Sequence, residues 1–232
     1  MLYICYNIRW IILRRCVVKV KLIIFDLDGT LSDTIYSIRD AVNLAMDKYC
    51  FPRRSYEDIR LAIGNGAREL IRLSLPADVS GDDAFVGQVL DDYSSFYEKT
   101  HANIDGCYPY VKDTICELIS RGYTIAVLSN KQHTYVKRIV DILFDKGEIS
   151  YAQGQTELPR KPDPTVPLMI ADKFGFAPDE CAFIGDSEVD VQTAINAGML
   201  AVACSWGYRE RDLLTKADHI IDDARELLRI FE

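Results

Sequence analysis

The sequence predicts an α/β protein with a doubly wound, mainly parallel, Rossmann-like sheet and an inserted all-helical domain. Two observations predict this fold. Several short apolar runs do not alternate with polar residues, which is typical of strands buried on both faces of a parallel sheet. In the second half of the chain these runs alternate with helical patterns, and that order favours a doubly wound sheet.

The apolar runs that we interpret as strands comprise four clear segments and a weaker fifth. They are residues 21–25, 124–128, 182–184 and 200–203, with 219–221 as the weaker one. Helical patterns fill the intervals between the later strands. They cover residues 111–120, 135–144, 165–174 and 188–197. Glycine directly follows the last two patterns, in the position where it commonly terminates a helix.

Residues 34–106 interrupt this alternation of strands and helices. The segment shows no clear strand, and apolar residues such as Ile38 and Val42 recur at helical spacing. We therefore predict that 34–106 is a helical domain and that residues 20–33 and 107–232 form the core.

The first 19 residues are apolar, but basic residues such as Arg9 and Arg14 interrupt them. No uninterrupted span approaches the ~20 residues of a membrane helix, and the apolar pieces are short for a signal peptide. We expect residues 1–19 to be an N-terminal extension or a gene-start artefact. The alternative is a short tail that binds a membrane surface or a partner.

Charge and cysteine content exclude several classes of protein. The formal net charge is −8, so nucleic acid is a poor default partner. The seven cysteines form no C-x-x-C pair, so we expect neither a disulfide framework nor a zinc site. A reduced cytoplasm fits best, and we expect no membrane association and a monomer or homodimer.

Acidic and basic residues follow the predicted strands at the edge where open α/β sheets bind ligands. Asp26 and Asp28 follow the first strand, and Asp186 follows a later one. Carboxylates gathered at one edge cannot all stay ionised without a counter-charge. Mg²⁺ is commonly held by one or two carboxylates together with phosphate oxygens. We therefore expect a Mg²⁺ cofactor with Asp26 and Asp186 as direct ligands.

The same edge offers groups that bind phosphate. Lys161 can neutralise a phosphoryl group, and the Ser129 hydroxyl can donate to one of its oxygens. Backbone N–H groups near Gly29 and Asn130 are expected to add to this site.

A phosphoryl group held in this way places two acids in different roles. Asp26 can attack phosphorus and form an aspartyl-phosphate. Asp28 can donate a proton to the leaving oxygen and later accept one from the hydrolytic water. We expect these two residues, with Ser129 and Lys161, to be catalytic.

Four motifs then carry a resemblance to a known family. They are "DLDGTLSDT" from Asp26, "LSN" ending at Asn130, "KPDP" from Lys161 and "GDSEVD" ending at Asp190. In this order they resemble the haloacid dehalogenase superfamily of phosphatases. The resemblance implies that Asp26 is the nucleophile, and that residues 34–106 are a helical cap that closes over the site.

The resemblance also implies a metal site, formed by Asp26, Asp28 and Asp186. Asp28 is expected to offer its backbone carbonyl, which leaves its carboxyl free for proton transfer. Asp190 is expected to orient Lys161 or a metal-bound water. Glu188 either lies behind the metal ligands or is a first-turn acid favoured by the helix dipole.

One stretch of the insertion, "AIGNGARELI", is similar to the substrate-specificity loop of phosphoglycolate phosphatase-like members. Gly64, Asn65 and Gly66 are expected to present backbone to the active site before a helix begins. Arg68, one turn into that helix, is a candidate for contact with a substrate carboxylate.

These features predict a Mg²⁺-dependent phosphatase for a small phosphorylated metabolite, with phosphoglycolate as the first substrate to consider. A phosphomutase of the β-phosphoglucomutase type, a pyrophosphatase and a nucleotidase remain alternatives. From another class, a phospho-aspartate receiver module shares the acids, hydroxyl and lysine. A receiver would need neither Asp28 nor the helical insertion.

Overall fold

The computed structural model describes residues 19–232, which contain a six-stranded parallel sheet with helices on both faces. The predicted extension at residues 1–19 lies, apart from Lys19, outside this range. The strands are β1 Leu22–Phe25, β2 Thr124–Gln132, β3 Tyr151–Gln155, β4 Cys181–Gly185, β5 Leu200–Cys204 and β6 His219–Ile221. Their order is β3-β2-β1-β4-β5-β6, and every neighbouring pair is parallel. The predicted fold class is confirmed.

Strand β1 lies at the centre of the sheet, and all of its residues are buried. Successive side chains of a strand point to opposite faces. Ile23 and Phe25 therefore join one apolar layer, whereas Leu22 and Ile24 join the other. The strand order reverses between β1 and β4, and this topological switch point opens a crevice beyond their carboxyl ends.

The core helices follow the predicted alternation closely. They are α5 Val111–Ser120, α6 His133–Leu143, α7 Thr165–Phe174, α8 Glu188–Ala197 and α9 Leu227–Ile230. α5 and α6 cover one face of the sheet, and α7 and α8 cover the other. Within residues 19–232, no helix combines the length and the apolar content needed to cross a bilayer.

Two features of the sheet were not predicted. Strand β3 carries Gln153, Gly154 and Gln155 and lies at the sheet edge, so it lacks the continuous apolar run of a central strand. Strand β2 continues beyond Leu128 to Gln132, through polar residues that reach the crevice.

The segment between β1 and α5 is helical and has its own apolar core. Its helices are α1 Ile35–Lys48, α2 Tyr56–Ala62, α3 Ala67–Ser74 and α4 Asp83–Thr100. Buried side chains of these helices cluster together, and Tyr135 and Tyr208 from the sheet domain join that cluster. The exact bounds of the cap as a domain, residues 34–106, stay a prediction.

Helix α6 provides a matched test of the core. Ile139 is fully buried, whereas Ile142 on the same helix is 52% exposed. We expect Ile139→Ala to lower the free energy of unfolding by about 2–5 kcal/mol, because it leaves a cavity in the core. Ile142→Ala should change it by less than about 0.5 kcal/mol. Urea unfolding measures both, and equal losses would contradict this packing.

Candidate active site

Three buried acids meet at the carboxyl ends of β1 and β4. Asp26 follows β1, Asp186 follows β4, and Asp190 lies in the first turn of α8. One carboxylate oxygen from each lies within 4.8 Å of the other two. Asp190 therefore belongs to the acid cluster itself, in addition to its predicted role of orienting Lys161 or a metal-bound water.

Lys161 is the cation that pairs with this cluster. Its Nζ lies 2.8 Å from Asp26 Oδ1 and 2.6 Å from Asp190 Oδ1. The other oxygen of Asp190 accepts hydrogen bonds from the Ser187 N–H at 3.1 Å and its hydroxyl at 2.6 Å. Both oxygens of Asp190 are thus engaged, an arrangement suited to orienting Lys161.

Asp186 is held by the turn that follows β1 and by a loop that follows β5. Its Oδ1 accepts from the Thr30 hydroxyl at 3.1 Å, and its Oδ2 accepts from the Tyr208 N–H at 2.7 Å. Gly29 lies against the same carboxyl, where an added Cβ would approach Oδ2 to 2.5 Å. Its φ of +84° also favours glycine.

Gly29 allows the turn to pack beneath Asp186. Its own N–H donates to the Ser32 carbonyl oxygen at 3.0 Å and is engaged within the turn. Phosphate binding by backbone N–H groups near Gly29 stays a prediction.

The electrostatics of the cluster are unbalanced, because three carboxylates are buried together and Lys161 pairs with only two of them. Burial, together with Asp190 and Asp28, raises the pKa of Asp26 to about 7 despite the opposing charge of Lys161. Burial and the charges of Asp190 and Asp26 raise the pKa of Asp186 to about 8. Burial alone would lower the pKa of Lys161, but Asp190 and Asp26 raise it above its usual value.

This cluster fits a hard divalent cation. Its donors are carboxylate oxygens, which are the ligands that Mg²⁺ takes in proteins. Among the described residues, Asp26 Oδ1 accepts no well-aligned hydrogen bond, although Lys161 lies close to it. A cation would offset both the burial and the repulsion between acids that raise the pKa values of Asp26 and Asp186.

Asp28 lies apart from the acid cluster and has a different partner. Lys131 Nζ donates to its two oxygens at 2.6 and 2.8 Å, and the Thr34 hydroxyl donates to Oδ1 at 2.5 Å. Both Asp28 and Lys131 line the cavity between the sheet and the helical insertion. The sequence analysis assigned no role to Lys131, although it directly follows the Ser129-Asn130 motif.

Ser129 and Asn130 line the same cavity. Ser129 is buried, and its hydroxyl oxygen accepts from the Lys131 N–H at 3.2 Å. The Asn130 side chain accepts from the Lys161 N–H at 2.9 Å and donates to the Lys161 carbonyl at 3.1 Å. Asn130 therefore fixes the backbone that carries Lys161.

The Gly64-Asn65-Gly66 loop is clamped by the sheet domain. Successive carbonyl oxygens of residues 63–65 accept from Arg209 at 2.6 Å, Asn130 at 2.9 Å and Arg160 at 2.6 Å. Gly64 and Gly66 line the cavity, as predicted for a loop that presents backbone to the site. Sequence reasoning missed Arg209, because it lies far from every motif.

Two predicted residues lie elsewhere. Arg68 is half exposed and donates to the Asp83 carbonyl oxygen at 2.9 Å, so it does not line the cavity. The predicted contact with a substrate carboxylate is therefore not supported. Glu188 is 51% exposed and lies 3.3 Å from Arg209 Nε, so it supports that arginine and not the acid cluster.

Comparisons with known proteins agree with this geometry. A model of the haloacid dehalogenase-like hydrolase family matches residues 20–198. A phosphoglycolate phosphatase of Haemophilus influenzae is 33% identical, over 90% of this chain and 97% of that protein. One of Pseudomonas putida is 33% identical, over 90% of this chain and 78% of that protein. A crystal structure named as a predicted phosphoglycolate phosphatase from Haemophilus somnus has a TM-score of 0.83 and 30% identity, and covers 92% of this chain and 98% of its own.

The parallel sheet, with an acid cluster and Lys161 at its carboxyl edge, is typical of an α/β enzyme with its active site at that edge. The chain belongs to the haloacid dehalogenase-like hydrolase family. The resemblance carried by the four motifs is confirmed, and so is the class of phosphoric monoester hydrolases.

The raised pKa values predict how Mg²⁺ binding depends on pH. Asp26 and Asp186 hold protons up to their pKa values of about 7 and about 8, whereas a cation requires them ionised. Mg²⁺ affinity should therefore rise between about pH 6 and pH 8, by about tenfold per unit for each displaced proton. Titration calorimetry in buffers of different ionisation enthalpy measures the number of protons released when Mg²⁺ binds. Asp186→Asn should weaken binding, and a pH-independent affinity would contradict the assignment.

The clamp on residues 63–65 gives a second prediction. Arg209→Met removes charged donors, each worth about 1.5–3 kcal/mol, and should speed amide hydrogen exchange in residues 60–66 by about tenfold or more. Arg211→Met is the matched control, because Arg211 is 51% exposed and pairs with Asp222. Similar exchange in the two variants would show that Arg209 does not hold the loop.

Proposed function

We propose that the protein is a Mg²⁺-dependent phosphatase that hydrolyses a small-metabolite phosphomonoester through an aspartyl-phosphate on Asp26. The observation that carries this proposal is the separation of two neighbouring acids. Asp26 lies in the acid cluster beside Lys161, whereas Asp28 lies outside it and pairs with Lys131. Two acids in different environments can serve as nucleophile and as acid/base.

The first half of the reaction uses residues at the ends of β1 and β2. Lys161 and Ser129 bind the phosphoryl oxygens and aim phosphorus at Asp26, with backbone N–H groups near Asn130 as further donors. Asp26, Asp186 and the Asp28 carbonyl would hold Mg²⁺, which when bound neutralises phosphate charge. Asp26 then attacks phosphorus, and the bond to the leaving oxygen breaks.

Asp28 transfers protons in both halves of the reaction. Its protonated carboxyl donates to the leaving oxygen and becomes a carboxylate. That carboxylate then accepts a proton from the water that attacks the phosphoenzyme, which restores Asp26 and releases phosphate. Side chains of α1, α3 and α4 line the cavity opposite the sheet, and this apolar wall limits the access of other water.

The relatives and the composition support a proposal for the substrate and for the cellular setting. Because the similar proteins are named phosphoglycolate phosphatase, phosphoglycolate is the first substrate that we propose. The five described cysteines are free, which suits a reducing cytoplasm. We propose a small phosphorylated metabolite as its partner, with no nucleic acid or membrane, and a monomer or homodimer.

A substrate panel with Mg²⁺ tests this function. It compares kcat/KM for phosphoglycolate, hexose phosphates, nucleotides and pyrophosphate, and it includes isomerisation of hexose phosphates as the sign of a mutase. Asp26→Asn should abolish phosphate release with the fold intact, because the amide is not a nucleophile. Asp172→Asn, an exposed change on α7, should retain full activity. Absence of phosphate release from every ester would refute the proposal.

A further inference from the structure

The helical insertion offers only uncharged groups to the cavity. Its lining residues in the described chain are apolar, aromatic, glycine or serine, among them Ile38, Leu70, Tyr93, Ser94 and Tyr97. The side chains expected to recognise an anionic leaving group must therefore come from the sheet domain. This result departs from the expectation that Arg68 in the insertion meets the substrate.

Three cations line the described cavity, and two of them each contact two or more protein residues there. Lys161 is held between Asp26 and Asp190. Arg209 donates to the carbonyl oxygens of Arg60 and Ile63. It also lies 3.3 Å from Glu188. The remaining cation is Lys131.

Lys131 lines the cavity and contacts few protein acceptors there. Its side chain is only 7% exposed, and its Nζ lies 5.2 Å from the centre of the Tyr97 ring. Among the described residues, Asp28 is its single carboxylate partner, at 2.6 and 2.8 Å. An ammonium has three N–H donors, so it can bind a second carboxylate beside Asp28.

We propose that Lys131 is the specificity-determining residue that binds a carboxylate on the leaving group of the substrate. This inference rests on the proposed function, in which Asp28 protonates the leaving oxygen. An ammonium bound to Asp28 then lies beside that oxygen. In a phosphoglycolate-type ester, one methylene carbon separates the ester oxygen from the carboxyl group. The carboxylate therefore falls within reach of Lys131.

A simpler role for Lys131 is that of a counter-ion for Asp28. The two roles differ in one measurable respect. A counter-ion affects all phosphate esters equally, whereas a carboxylate-binding residue affects those that carry the carboxylate. The ratio between a charged ligand and its neutral analogue therefore separates them.

Equilibrium binding to the full chain with Mg²⁺ tests this ratio without turnover. The probes are 3-phosphonopropionate, a non-hydrolysable carboxylate analogue, and propylphosphonate, which lacks the carboxylate. Wild type should prefer the first by about tenfold to a hundredfold, the range of a charge-assisted hydrogen bond. Lys131→Met should lose this preference, and Lys131→Arg should keep part of it. Lys137→Met, an exposed change on α6, should retain all of it.

A second test measures turnover, with phosphoglycolate and 2-hydroxyethyl phosphate as substrates. Lys131→Met should lower the ratio of their kcat/KM values by the factor seen in binding. Equal losses for the two esters, or a wild type without carboxylate preference, would overturn the assignment. If wild type hydrolyses neither ester but keeps the binding preference, phosphoglycolate fails as the substrate and the carboxylate-binding role of Lys131 stands. Thermal unfolding checks the fold, and Lys131→Gln replaces Lys131→Met if that variant does not fold.

Discussion

The site depends on the burial of three neighbouring carboxylates at the carboxyl ends of β1 and β4, two of which pair with Lys161. One oxygen each of Asp26, Asp186 and Asp190 lie close enough together for one cation to contact all three, and Lys161 pairs with Asp26 and Asp190. Such a cluster is costly without further positive charge, because neighbouring buried carboxylates oppose ionisation. The surrounding hydrogen bonds, including those from Thr30 and Ser187, hold it in place despite that cost.

A second constraint separates acids that are two residues apart in the sequence. The strand ends at Phe25, and the turn that follows directs Asp26 and Asp28 to different lysines. Lys161 pairs with Asp26 in the acid cluster, and Lys131 pairs with Asp28 at the cavity. This division of partners places the two acids of one short peptide in different electrostatic environments, each beside a lysine from a different segment of the chain.

Much of the fold was predictable because buried parallel strands form continuous apolar runs. Strand β3 was missed because an edge strand tolerates glutamine. Site residues within the four motifs were predictable from the sequence of each motif and from the order of the motifs along the chain. Lys131 and Arg209 were not, because their roles depend on contacts between segments far apart in the chain. Arg68 was assigned from helical position alone, and its guanidinium turns toward Asp83.

The central claim is that Asp26 attacks phosphorus, and chemical trapping tests it most directly. Enzyme mixed with phosphoglycolate and Mg²⁺ is quenched in acid and treated with borohydride, which reduces an acyl phosphate to an alcohol. Peptide mass spectrometry should find homoserine in place of Asp26, only when substrate and Mg²⁺ are both present. Homoserine at another acid, or phosphate release in the same mixture with Asp26 never labelled, would contradict the account.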